Sequence, residues 1–139
     1  MRIDFYHDAP DKIATAVKVT HKAYGQGCRL VVYAPLPAVA DAFDRLLWSV
    51  PPTAFVPHCR ADVPLAAETP VLIASRLEHL PHHDVLINLD QETPPGFAEF
   101  TRLIEIVGRD EDDKAPARAR FRHYREAGHD IHRHDLAGH

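Results

Sequence analysis

The stretch "RIDFYHDAPDKIATAVKVTHKAYGQGCRLVVYAP" (residues 2–35) decides how the chain folds. Its first five residues are β-type and predict a strand. Ile13, Ala16, Val17, Thr20, Ala23 and Tyr24 then recur at helical spacing and make one apolar stripe. Gly25 and Gly27 supply the stop, because glycine accepts the left-handed turn that ends a helix. "CRLVVYAP" (28–35) is an unbroken apolar run. Such a run fits a strand covered on both faces, the usual state of a parallel strand.

The same alternation continues downstream. Pro35 and Pro37 open a second helix, roughly 37–49, with Val39, Ala42, Phe43, Leu46, Leu47 and Val50 on one side. The proline-rich 49–70 predicts irregular chain. "VLIAS" (71–75) and "DVLINL" (84–89) predict strands. Residues 97–108 predict a helical turn around Phe97–Thr101 and a strand to Val107. "RDEDDKAPARARFRHYREAGHD" (109–130) predicts the last helix, ended by Gly128. Asp112 or Asp113 as N-cap would put Pro116 in the first turn, where its missing N–H costs nothing. Residues 129–139 read as a flexible polar tail. Strands alternating with helices predict a single-domain (1–139), Rossmann-like three-layer α/β/α fold with a mostly parallel sheet.

The 139 residues suffice for one core, and 45% hydrophobic with 26% charged residues is ordinary for a globular chain. A net charge of -4 means that any nucleic-acid contact must come from a local patch. Cys28 and Cys59 sit in no CxxC motif, which suits a reducing cytoplasm. No signal peptide and no membrane helix are expected.

Catalytic chemistry finds little support. A dinucleotide site needs GxGxxG between a strand and a helix, but "GQG" (25–27) closes a helix. There is no GxxxxGK[ST]. The two serines, Ser49 and Ser75, lie outside GxSxG, and a Cys59/His58 pair lacks a third group. His129, His132 and His134 form HxxHxH, and His82-His83 is a pair, yet a structural metal needs about four placed ligands. No catalytic residue, cofactor or metal is expected, and the protein is not expected to be an enzyme.

Two surfaces stand out. At ~100° per residue, Trp48 lies opposite Val39 on the second helix, beside Asp41, Asp44 and Arg45. With Phe55, Val56 and Pro57 just downstream, it makes either an exposed anchor for a partner or an aromatic hidden under the loop. On the last helix Lys114, Arg118, Phe121, Arg122 and Arg125 form one stripe, with Ala117, Tyr124 and Ala127 on the packing face. A cationic stripe around an aromatic can hold a carboxylate and an apolar side chain together; it can also be a solvated basic face.

"LLWSVPPTAFVPH" (46–58), "DVLINL" (84–89), "FTRLIEIVG" (100–108) and "DDKAPARARFRHYREAGHDI" (112–131) resemble the chi subunit of bacterial DNA polymerase III holoenzyme, in order along nearly the whole chain. The resemblance implies a non-catalytic replisome accessory subunit with a Rossmann-like fold. It implies a link between the clamp-loader complex and single-stranded DNA-binding protein, whose acidic C-terminal tail ends in an apolar residue and a carboxylate. Arg118 would then clamp the terminal carboxylate, Lys114 and Arg122 would meet the acidic residues, and Phe121 and Val107 would line the apolar pocket. Trp48, Phe55, Val56 and Pro57 would serve the psi subunit or a repair helicase. The alternative is direct nucleic-acid binding through the basic helix.

Overall fold

The computed structural model describes residues 1–49 and 55–137. Val50, expected in the stripe of the second helix, and His139 lie outside them. The elements in chain order are β1 (Arg2–Ala9), α1 (Lys12–Gly25), β2 (Leu30–Tyr33), α2 (Pro37–Trp48), β3 (His58–Arg60), β4 (Val71–Ala74), β5 (Val85–Asn88), β6 (Arg102–Gly108), α3 (Glu111–Glu126) and β7 (Asp130–Asp135). Short 3-10 turns occupy Pro64–Glu68 and Phe97–Glu99. Among the described residues the strands form one sheet in the order β3-β4-β2-β5-β6-β1-β7, and every pairing is parallel.

The strands alternate, as pleating requires. Leu30, Val32, Ile73, Ile87, Ile104 and Ile106 face Ala16 and Val17 of α1 and Phe43 and Leu47 of α2. Val31, Leu72, Leu86, Leu103 and Val107 face the other way, onto Ala117 and Tyr124 of α3. Two helices therefore cover one face and one covers the other, the expected three layers. Phe43 is fully buried, so Phe43→Ala would cost roughly 3–5 kcal/mol in lost transfer energy and cavity.

The structure corrects four expectations. Residues 130–135 are not a tail: they pair with β1 from Arg2↔Asp130 to His7↔Asp135. Their polar side chains suit an edge strand, which needs backbone partners on one side only. Leu46 is 36% exposed, and the buried line of α2 is Ala40, Phe43 and Leu47. The irregular 49–70 contains β3. The N-cap of α3 is Asp110, so Pro116 lies in the second turn. Its missing N–H leaves the Asp112 carbonyl without a helical donor, and Gln91 Nε2 donates to that carbonyl at 3.3 Å. Asp113 does not cap; it accepts from the Gly108 N–H at 2.6 Å and pairs with Lys12 at 2.9 Å.

Candidate peptide-binding pocket

Lys114, Arg118, Arg122 and Arg125 follow one another at i, i+4, i+8 and i+11 along α3. Ala117 and Tyr124 bury the adjacent face against the sheet, so the cationic stripe overhangs β1 and β7. The cavity beneath has a volume of about 450 Å³, and all five residues expected there line it: Val107, Lys114, Arg118, Phe121 and Arg122. Its floor is apolar. Phe5 and Val107 are buried, and Phe5 meets Phe121 edge-on with centroids 5.5 Å apart.

Sequence reasoning missed Phe5, His7, Asp8 and Arg133 in this lining. Arg133 comes from β7, the strand read as a tail. His7 and Asp8 share the cavity although consecutive strand residues normally face opposite sides. The β1–β6 register shifts between Tyr6 and Ala9, and Asp8 sits at φ 58°. His7 already shares the face of Phe5, and that bulge turns Asp8 onto the same side.

The rim charges are not equivalent. Asp8 pairs with Lys114 at 2.6 Å and with His7 at 2.7 Å, and those hydrogen bonds hold its carboxyl below the usual range. Glu111 forks onto Arg118 through both carboxylate oxygens, which lowers the Glu111 pKa in the same way. Arg122, Arg125 and Arg133 enter none of the ion pairs found among the described residues.

Below the stripe, on the same helix, lies a buried polar network that the sequence did not reveal. Glu105 on β6 is fully buried. It accepts from the Tyr124 hydroxyl at 2.6 Å and from Asn88 Nδ2 at 3.0 Å, and Arg120 Nε lies 3.2 Å away. Arg120, itself 3% exposed, donates through Nη1 to the Gln91 carbonyl. Burial pushes the Glu105 carboxyl up, against the pull of Arg120, Tyr124 and Asn88. Burial and the adjacent Glu105 also raise the Tyr124 phenol, which stays a donor. The network ties α3 to β6 and to the Gln91 segment beneath the stripe.

The aromatic surface lies on the opposite face of the sheet. Trp48 is 60% and Phe55 52% exposed, with ring centroids 5.5 Å apart. The described residues therefore leave Trp48 exposed. The His58 ring supports it from 4.9 Å, held between Asp44 and the Val56 carbonyl. Val56 does not belong to this surface. It is 2% exposed and packs in the α1–α2 core, where it anchors the segment that presents Phe55; Pro57 is half-buried.

The residues weighed for chemistry are dispersed. Cys59 packs on the α3 side of the sheet, whereas His58 meets Asp44 and Trp48 on the other. His132 and His134 face away from α3, and His134 stacks on Tyr6 and contacts Asp4 at 2.9 Å. His129 instead contacts Phe97 and Tyr124. A second cavity of about 480 Å³ opens where β2 leads into α2. Pro35 and Pro37 at that turn lack the N–H groups that cradle phosphate.

The family model described as "DNA polymerase III chi subunit, HolC" matches residues 1–132. A protein of Pseudomonas aeruginosa named DNA polymerase III subunit chi is 33% identical over 139 residues, covering 97% of this chain and 96% of its own. Proteins of the same name from Haemophilus influenzae and Escherichia coli are 31% and 27% identical, over 81% and 82% of this chain and 79% and 78% of theirs. The chain belongs to the chi subunit family of DNA polymerase III, a replication accessory subunit.

Proposed function

We propose that the protein is a non-catalytic adaptor that joins the clamp-loader complex to single-stranded DNA-binding protein by holding the latter's acidic C-terminal tail. The observation that carries this reading is the α3 cavity. Lys114, Arg118, Arg122, Arg125 and Arg133 ring an apolar floor of Phe5, Val107 and Phe121. A peptide end supplies what such a site selects: an apolar side chain for the floor and a carboxylate for an arginine fork. Among these groups Arg118 is the carboxylate clamp, since it already holds the Glu111 carboxylate in that geometry. Lys114 and Arg122 meet the acidic residues.

The Trp48–Phe55 surface, with Pro57 at its edge, takes the second partner: the psi subunit of the clamp loader, where one is present, or a repair helicase. Its position across the sheet lets both partners bind at once. The work of such an adaptor is cytoplasmic.

Titration with the tail peptide of single-stranded DNA-binding protein, alongside a single-stranded oligonucleotide, tests this function. The adaptor saturates with peptide and binds the oligonucleotide negligibly at physiological salt. Oligonucleotide binding that falls steeply with salt, without peptide binding, would instead identify a direct nucleic-acid binder.

A further inference from the structure

Resting on the tail-peptide reading above, we propose that Arg125 and Arg133 form a second anion subsite, which reads one acidic side chain about three residues before the peptide's terminal carboxylate. Three observations lead there. First, Lys114 and Arg118 each already hold a carboxylate of this chain, so a ligand must displace or share those partners. Arg125 and Arg133 hold none among the described residues and sit in the same cavity.

Second, both guanidinium groups lie against one ring. The Arg125 and Arg133 guanidinium carbons are 5.9 and 5.4 Å from the Phe121 centroid. Contact with the ring restricts two otherwise loose side chains before any ligand arrives, so less entropy is lost on pairing. Arg133 stays on this side because β7 is paired to β1 through Phe5↔Arg133, with Ile131 packed beneath α3. The edge strand is therefore part of the site.

Third, helix geometry sets the register. Arg118 and Arg125 are two turns apart on one face of α3, which is ~10 Å of axial rise. An extended peptide covers that distance in about three residues. With the terminal carboxylate at Arg118, the residue three positions earlier lies beside Arg125 and Arg133. An aspartate or glutamate there completes the pairing.

The test uses synthetic nonapeptides that end in phenylalanine with a free carboxylate and carry a single aspartate, placed second, fourth or sixth from the end. Affinities are read by fluorescence anisotropy against the full chain and against an Arg125→Gln/Arg133→Gln variant. The wild type should prefer aspartate at the fourth position over asparagine there by about fivefold, the scale of a partly exposed ion pair. The double variant should lose that preference and bind the aspartate and asparagine peptides with equal affinity. Preference for another position, or a preference that survives in the double variant, overturns the subsite while leaving the tail-peptide reading standing. Failure of every peptide to bind wild-type protein overturns both. Both arginines are exposed, and an unchanged thermal midpoint verifies that the variant folds.

Discussion

The two candidate binding surfaces, the α3 cavity and the Trp48–Phe55 patch, are built on opposite principles. The cavity presents charge, and its charges rest on a buried polar network, Glu105–Arg120–Tyr124–Asn88, one layer below. The aromatic patch presents apolar surface. It stands on the end of α2, supported by one histidine and by Val56 in the core. Aligning several cations with a peptide demands a fixed helix, whereas an exposed indole needs only to be held out of the core. Damage to interior polar groups should therefore reach the cavity and spare the patch.

The strongest way to break this contrast is Arg120→Met. It strands Glu105 in the interior without its cation and should cost about 3–5 kcal/mol in urea unfolding at neutral pH. Peptide affinity should fall with it. Adding Glu105→Gln should recover part of the loss, because the neutral amide removes the stranded charge while its Oε1 still accepts from Tyr124 and Asn88. No recovery would mean that the network is not the support of α3.

Second in size is an acid effect on the sheet edge. Asp4 has no exposed side-chain surface. Burial alone would raise its pKa, but hydrogen bonds from Arg2, His134 and Arg102 hold it at about 2. Those bonds tie β1 to β6 and to β7, the strand that carries Arg133. The folded-state value lies below the unfolded one, so the contribution is complete above about pH 4 and disappears as pH falls through about 2. Its size is on the order of 2 kcal/mol. Unfolding curves of Asp4→Asn should lack that part of the acid limb.

The contrast explains what the sequence could and could not disclose. The α1 stripe was legible because Ala16, Val17, Thr20 and Ala23 repeat with the helical period and are the buried residues of that helix. The cationic stripe was legible for the same reason: spacing alone put Lys114, Arg118, Phe121 and Arg122 on one face. Glu105 and Arg120 were not, since a charge within "LIEIV" or "RARFR" looks the same whether it faces solvent or a partner that is distant in sequence. β7 was missed because "DIHRHD" has one aliphatic residue, and its strand character comes from pairing with β1. Val56 was misplaced because a proline-flanked valine carries no period to assign its side.

Trp48→Ala separates the surfaces. It should weaken association with the clamp-loader complex by about tenfold, as loss of an exposed aromatic anchor does, and leave tail-peptide affinity unchanged. A matching loss of peptide binding would merge the two sites. The smallest effect belongs to Glu111→Gln. Freeing Arg118 from its own carboxylate should raise peptide affinity about twofold, measured at low salt, where exposed pairs count most.

The central claim is that Arg118 receives the peptide's terminal carboxylate. The direct measurement is a four-way titration of free-acid and C-terminally amidated tail peptide against the wild type and Arg118→Ala. Amidation should weaken wild-type binding about tenfold and have little further effect on Arg118→Ala, because the group that senses the carboxylate is then gone. An amidation penalty of equal size in both proteins would contradict the assignment.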